Sequence, residues 1–328
     1  MSESRAVLMR TAAQTAGRQL RELAVDLHRP VNVFGIIKDL GIELMFRPLE
    51  GKPDGFYLPS AGPNRRAGIL LNSNRSSPRQ RYTAAHELCH FIRGDPARID
   101  VVREDCGYVS LGRSKEEVTA DFFAAHFLMP PTLVTHLFRK MGLKKHDLTP
   151  GDVYRLALAM RTSYEATCNH LLNLQFISLN LHQTLRKIPP KRIKSEWASD
   201  VGHSDVWPLD QRMDGFYILP TTEDILRIDL AETPSTGFVW EIKDIDQKVL
   251  SVERSDLSFN SPEQRAGQTG ARVFSLRVTG PGESQLKLIL ARPWNRNESV
   301  AEEFSLWISA SEKGFVGHFA KDDFLMAA

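Results

Sequence analysis

Residues 79–90 read Arg-Gln-Arg-Tyr-Thr-Ala-Ala-His-Glu-Leu-Cys-His, and this stretch decides how the first half of the chain is interpreted. Before the first histidine it holds good helix formers and neither Gly nor Pro, so we expect a helix that ends at Gly94. Residues four apart on a helix share a face, so His86 and His90 can bind the same Zn²⁺ while Glu87 points to an adjacent water. The pattern therefore indicates a catalytic zinc site.

A further ligand is needed, because a catalytic zinc ion takes three protein ligands and keeps a fourth position open for water. Downstream, the sequence predicts a second helix from Glu117 to Met129 that closes before Pro130. Glu117 and Asp121 are one turn apart on this helix and share a face. One of them can bind the metal while the other accepts a hydrogen bond from a ligand imidazole, and the residues alone leave both assignments open.

The chemistry that such a site performs is hydrolysis. Zinc lowers the pKa of bound water toward neutrality, and Glu87 would accept the water proton and deliver it to the leaving amine. Tyr82 and Tyr154 are candidates for stabilising the oxyanion, although a packing role is favoured for each. His126 lies nine residues after Glu117, out of phase with it on the helix, so we interpret it as a surface or packing histidine.

These residues carry a family resemblance. Residues 79–90, followed by Glu117-x-x-Ala-Asp-x-Phe-Ala-Ala-x-x-Leu-Met-Pro130, resemble the ImmA/IrrE family of zinc metallopeptidases, and the match spans roughly residues 30–180. It implies a helix-rich, zincin-like peptidase domain with a small sheet, in which a gluzincin-like HExxH enzyme binds Zn²⁺. The implied metal ligands and general base are, in that order, His86, His90 and Glu117, and then Glu87.

The same resemblance implies a substrate and a role. Members of the family cleave helix-turn-helix repressors and so switch on stress-response genes, which suggests a function in transcription regulation. At the second histidine the family commonly has Gly before it, and here Cys89 stands at that position. We interpret Cys89 as a small buried residue and not as an additional ligand.

Two other segments complete the N-terminal domain, which we place at residues 1–180. Ile42 to Phe46 and Ala67 to Asn72 are predicted strands around a Pro/Gly-rich turn region, and they would form the small sheet. Residues 150–177 are helix-turn-helix-like and resemble the corresponding portion of the family. They carry few cations, so we favour a packing or substrate-presenting hairpin and do not expect direct DNA binding.

The second half of the chain has a different composition. Residues 181–205 are polar, basic and proline-bearing, which is typical of a linker. From 206 to 311 apolar and polar residues largely alternate between Pro/Gly/Asn-rich loops, which predicts an antiparallel β-sandwich. The C-terminal tail, 312–328, is too apolar for a plain solvated tail, and its role stays open.

Three loops of this half hold Pro, Gly and aromatic residues: Thr233 to Trp240, Gly267 to Gly270, and Arg292 to Trp294. On spacing alone, hairpin turns with core aromatics are favoured over a binding surface. In this order, however, they resemble the chagasin family of inhibitors of papain-like cysteine peptidases, which implies an immunoglobulin-like β-sandwich with a protein partner. The implied partner-binding residues are Pro234, Ser235, Thr236, Gly237, Phe238, Gly267, Gly270, Arg292, Pro293 and Trp294.

Composition sets the outer limits. Of the 328 residues 42% are hydrophobic and 25% charged, with a net charge of +2, so the chain is not a globally basic nucleic-acid binder or a disordered protein. Cys89, Cys106 and Cys168 show no C-x-x-C spacing, and the first thirty residues show no secretory signal. No apolar stretch suits a membrane span. We therefore expect a cytoplasmic protein without a membrane role.

The fold class is thus α+β, with a helix-rich domain followed by an all-β domain. The first hypothesis is a cytoplasmic zinc endopeptidase whose chagasin-like domain senses or recruits a protein and so controls cleavage. The alternative is a cysteine-peptidase inhibitor or binding module carried on an inactive metallopeptidase scaffold. A direct DNA-binding regulator is the weakest of the three hypotheses.

Overall fold

The computed structural model describes residues 5–50, 53–60, 62, 65–96, 98–100, 114–198, 202, 204–259, 269–294 and 300–313. Cys106, Gly267 and the tail beyond Lys313 lie outside these ranges. The chain divides into two compact units at Lys187/Ile188, with the short segment Lys140–Gly142 assigned to the second. Each unit is described by itself below.

The first unit is rich in helices, as expected, and holds one small sheet. Its helices are α1 (Arg5–Glu22), α2 (Val33–Asp39), α3 (Ser77–Arg93), α4 (Lys115–Leu128), α5 (Pro131–Lys140), α6 (Pro150–Met160), α7 (Tyr164–Asn173) and α8 (Leu179–Arg186). Its strands are β1 (Glu43–Arg47), β2 (Gly55–Leu58), β3 (Gly68–Asn72) and β4 (Arg98–Asp100), in the order β1-β3-β2-β4. The strand β2 lies in the region expected to be only a turn.

Helix α3 packs against this sheet and is buried along most of its length. It begins after Ser76, with Pro78 in its first turn, and ends at Gly94, whose φ of 69° is the left-handed conformation that glycine adopts readily. Gly55 of β2 lets the helix approach, since a Cβ there would lie 2.6 Å from Cγ2 of Thr83. The sheet thus fixes the position of the helix that carries the two histidines.

Helix α4 packs against α1 and α3. Ser114 caps its N-terminus by accepting a hydrogen bond from the Glu117 backbone N–H at 3.3 Å. It ends ahead of Pro130, within two residues of the predicted bounds. Glu117 therefore sits in the first turn, where a carboxylate is favourable beside the helix dipole.

His126 is a packing residue at the contact between α4 and α7. It is 8% exposed, and its ring meets that of the fully buried His170 edge to face, with centroids 4.8 Å apart. Nε2–H of His170 donates to the Met129 carbonyl at 2.9 Å. Burial lowers the pKa of His126 to about 4 and that of His170 to about 3, so both rings are neutral in the folded protein at neutral pH.

These two histidines should make the folded state sensitive to acid. In the unfolded chain a histidine pKa is about 6.5, so between about pH 6.5 and pH 4 the unfolded state binds more protons than the folded one. The free energy of unfolding should fall with pH through this window by up to about 1.4 kcal/mol per pH unit for each ring. In urea titrations at stepped pH, His126→Leu should show a shallower dependence, and a slope equal to that of the wild type would contradict this explanation.

The second unit contains α9 (Pro190–Ser195) and two four-stranded sheets. One sheet has the order β5-β7-β10-β9 and the other β6-β12-β11-β8. The strands are β5 (Val206–Asp210), β6 (Phe216–Ile218), β7 (Ile225–Glu232), β8 (Val239–Asp244), β9 (Leu250–Ser258), β10 (Gly270–Val278), β11 (Gly282–Ala291) and β12 (Glu302–Ala310). The β-rich character of this domain is confirmed, and the immunoglobulin-like arrangement stays a prediction.

Two expectations for this half need correction. The sheets are not purely antiparallel, because β5 pairs with β7 and β6 with β12 in parallel. Consecutive strands β5 and β6 belong to different sheets, so neither partner is reached through a hairpin. Residues 181–205, expected to be a linker, hold the end of α8 and all of α9, in which Pro190 occupies a first-turn position that needs no N–H.

None of the helices in the described ranges combines the length and apolarity that crossing a membrane requires.

Candidate metal centre

Three side chains from two helices converge in the first unit. Helix α3 contributes His86 and His90, whose Nε2 atoms are 3.2 Å apart. Helix α4 contributes Glu117, whose Oε2 lies 3.2 Å from Nε2 of His86 and whose Oε1 lies 3.3 Å from Nε2 of His90. One ligand atom from each residue lies within 4.8 Å of the others, and all three residues are buried.

Both imidazoles are held from behind by carboxylates. Nδ1 of His86 is 3.0 Å from Oδ1 of Asp121, and Nδ1 of His90 is 2.8 Å from Oδ2 of Asp95. A carboxylate that accepts the Nδ1–H of an imidazole leaves the Nε2 lone pair for the metal. In this geometry Glu117 stands among the metal-facing donors and Asp121 supports His86.

This donor set fits a divalent metal ion. Two imidazole nitrogens and one carboxylate are the protein ligands typical of a catalytic zinc site, and three ligands leave one position for water or substrate. Among the described residues, only this group of histidine, cysteine and acidic side chains meets the distance needed for shared coordination.

The electrostatics of the cluster favour positive charge. Burial by itself lowers the pKa of His86, but hydrogen bonds to Asp121 and Glu117 outweigh it and raise that pKa to about 10. The pKa of His90 is also raised, by Glu117 and Asp95 against the opposing effects of burial and His86. The acidic groups thus provide the negative charge that a metal cation requires, and a metal that binds here must displace protons.

Glu87 lies between the two histidines in sequence and is 2% exposed. Its negative charge contributes to the raised pKa of both imidazoles, which places its carboxylate near the cluster. A carboxylate beside a metal-bound water can act as a general base.

The three sequence loops of the second unit also come together. Pro234–Thr236 form a short 3₁₀ turn that closes at Gly237, where φ is 77°. The ring of Trp294 packs on that glycine, since a Cβ at Gly237 would lie 2.9 Å from its Cη2. The guanidinium of Arg292 lies 4.8 Å from the ring centroid of Phe238. Backbone and side chains of two loops are therefore in direct contact.

The third loop joins them through a hydroxyl pair. Oγ1 of Thr233 and Oγ1 of Thr269 are 2.8 Å apart, just before Gly270 begins β10. Trp294 is nevertheless 73% exposed. An exposed tryptophan on an ordered loop is the kind of residue that dominates protein interfaces.

Comparison with protein families assigns both halves. Residues 37–172 match the model of the IrrE N-terminal-like domain, Peptidase_M78, and residues 221–308 match the chagasin family peptidase inhibitor I42. The chain joins an IrrE-like domain to a chagasin-like domain. Both resemblances expected from the motifs are thereby confirmed. No curated protein matches the chain significantly.

Solved structures similar to the chain are cysteine-protease inhibitors or their relatives. The inhibitor EhICP2 from Entamoeba histolytica is 21% identical over 33% of this chain and 98% of its own, with a TM-score of 0.31. Amebosin has the same identity and coverages, with a TM-score of 0.29. PbICP-C, solved in complex with falcipain-2, is 14% identical over 34% of this chain and 95% of its own, with a TM-score of 0.24.

Within the IrrE-like domain, the two tyrosines considered for the oxyanion have different surroundings. Tyr82 is 2% exposed, and its hydroxyl donates to the Asp121 carbonyl at 3.0 Å, which favours the packing role. Tyr154 is buried in α6, and its role stays a prediction. Burial raises the pKa of the Cys89 thiol to about 12, so this side chain is the small buried residue expected and not a reactive thiolate.

Asp95 is the site residue that sequence reasoning missed. It lies beyond the end of α3, where helical periodicity no longer predicts neighbours. Its signal in the sequence is indirect: a glycine that ends the helix can fold the next residue back onto the last turn.

Proposed function

We propose that the chain is a zinc-dependent endopeptidase that hydrolyses a peptide bond in a protein substrate, namely a helix-turn-helix transcriptional repressor. The observation that carries this proposal is the buried cluster of His86, His90 and Glu117, with Glu87 beside it on α3. The IrrE-like family model supports the reaction class. The repressor as substrate comes from the resemblance to the ImmA/IrrE family.

Each residue of the cluster has a separate task in this reaction. His86, His90 and Glu117 would hold Zn²⁺, which polarises the scissile carbonyl and lowers the pKa of bound water. Glu87 accepts a proton from the attacking water and delivers it to the leaving amine. Asp121 keeps the His86 imidazole in the orientation that directs Nε2 to the metal position.

The helical pair α6 and α7 is proposed to pack or present substrate and not to bind DNA. Its cations Arg155 and Arg161 are balanced by Asp152 and Glu165, so it offers no basic face to phosphates. A salt-sensitive complex of the full chain with duplex DNA would contradict this assignment.

The test is zinc-dependent cleavage. Zinc-loaded protein and the same protein stripped by a chelator are incubated with helix-turn-helix repressors encoded beside its gene, and products are identified by mass spectrometry. Cleavage only with zinc supports the proposal and identifies the bond. His90→Ala should neither retain zinc nor cleave, and cleavage by that variant would contradict the assigned ligands.

A second candidate function belongs to the chagasin-like domain. We propose that its three loops bind a protein and thereby target or regulate the peptidase. The alternative is that they inhibit a papain-like cysteine peptidase while the IrrE-like domain serves as an inactive scaffold. The exposed Trp294, held on Gly237, supports a binding surface in both cases.

Trp294→Ala should separate binding from folding. If papain is a partner, the substitution should weaken its complex with the full chain by about 2 kcal/mol, or roughly 30-fold. The matched control is Trp307→Ala, which removes a 43% exposed tryptophan from β12, outside the loops. Titration calorimetry measures both. Equal effects of the two substitutions would contradict a loop-centred site, and absence of papain binding by the wild type would reject the inhibitor alternative.

A further inference from the structure

Asp95 occupies a place at His90 that mirrors the place of Asp121 at His86. We propose that Asp95 is a positioning residue of the metal centre, which fixes the His90 imidazole for zinc. This inference rests on the zinc site of the proposed function and assigns a role to a residue outside the motifs.

The first support is the backbone turn that follows α3. Gly94 has a φ of 69°, and the N–H of Asp95 donates to the His90 carbonyl at 3.0 Å. The chain therefore folds back on the last helical turn. This brings a residue that is not on the helix next to the imidazole, with Oδ2 of Asp95 at 2.8 Å from Nδ1 of His90.

The second support is that the carboxylate is itself held. Nε of Arg93 donates to Oδ2 of Asp95 at 3.1 Å. The Asp95 side chain is 13% exposed and that of His90 is 4% exposed, so water has little access to the bond between them. The carboxylate is thus oriented from one side by a guanidinium and presents its charge to the imidazole.

The chemical consequence concerns which nitrogen faces the metal. A neutral imidazole carries one N–H, and a carboxylate that accepts it at Nδ1 fixes the tautomer with a lone pair on Nε2. Nε2 of His90 is the atom that faces His86 and Glu117. Without Asp95 the ring could rotate or change tautomer, and the donor would no longer be fixed toward the metal position.

The competing explanation is that Asp95 only closes the helix end and pairs with Arg93. The Arg93 side chain is 34% exposed, and ion pairs of that kind contribute little to folding. A purely local role would leave the affinity for zinc unchanged. Zinc affinity therefore distinguishes the two explanations, independently of peptidase activity.

The experiment measures zinc dissociation constants of the full chain by competition with a chromophoric chelator. Asp95→Ala should weaken zinc binding by about 10- to 100-fold, the usual cost of losing a partner behind a metal-binding histidine. Asp95→Asn keeps an oxygen acceptor and should lose less. The matched control is Asp26→Ala, which removes an exposed aspartate beside the exposed His28, far from any metal ligand in sequence, and should leave the constant unchanged.

The outcomes separate this inference from the proposed function. If the wild type binds no zinc, the proposed function fails and this inference fails with it. If the wild type and Asp95→Ala bind zinc equally, the positioning role is overturned while the zinc site stands. If metal-free Asp95→Ala does not fold, as judged by its melting curve, Asp95→Asn decides, and wild-type affinity in a folded Asp95→Asn whose pH profile of zinc binding is also unchanged overturns the role of the charge.

Discussion

Replacing Glu87 with glutamine should slow substrate hydrolysis by about 10²- to 10⁴-fold while the protein keeps its zinc. Glutamine has nearly the same size but cannot take the proton from the attacking water. Glu87 is 2% exposed on a helix that packs against the sheet, so a substitution of equal shape should leave the helix in place. Cleavage rates by mass spectrometry and zinc content by atomic absorption measure the two properties separately.

The matched control for this prediction is Glu22→Gln, which removes the charge of an exposed glutamate at the end of α1. Its rate and zinc content should equal those of the wild type. If zinc-loaded Glu87→Gln cleaves at the wild-type rate, the assignment of Glu87 as general base is wrong, even though the metal ligands could still be right.

Replacing Glu232 with alanine should lower the free energy of unfolding of the chagasin-like domain by about 3–5 kcal/mol. This carboxylate is 1% exposed at the end of β7. It accepts from Nη2 of Arg272 on β10 at 2.5 Å and from the backbone N–H of Trp240 on β8 at 2.8 Å. Removing it leaves a cation and a buried N–H without their acceptor, in a place where water cannot replace it.

The comparison for Glu232 is Asp256→Ala on β9. Asp256 pairs with Arg254, and both side chains are more than half exposed, so its loss should cost less than about 1 kcal/mol. Thermal or urea unfolding of the full chain, followed by tryptophan fluorescence, measures both variants. Similar losses of stability for the two would mean that the buried carboxylate has no special role.

The sequence predicted the metal centre well where the contacts follow helical periodicity. His86 and His90 are four residues apart, as are Glu117 and Asp121, and such pairs share a face in any α-helix. Which of the two carboxylates would face the metal required the relative placement of α3 and α4. Asp95 was beyond this reasoning, because its contact with His90 depends on one backbone turn after the helix.

The missed elements have physical causes as well. Strand β2 is four residues long and starts at Gly55, directly after residues that favour a turn, so its short apolar run gave no clear period. Helix α9 follows two prolines among basic residues, a composition also typical of linkers. The parallel partners of β5 and β6 are distant in sequence, and alternation of apolar residues is the same in parallel and antiparallel pairs.

The metal-facing donors are divided between two helices, two on α3 and one on α4, and Tyr82 of α3 also binds the backbone of α4 at Asp121. Zinc affinity and the spacing of these helices are therefore thermodynamically linked. Any protein that binds preferentially to the metal-competent spacing raises zinc affinity, and zinc must raise the affinity for that protein by the same factor. Metal occupancy in the cell would then report on whether a partner is present, as well as on how much zinc is available.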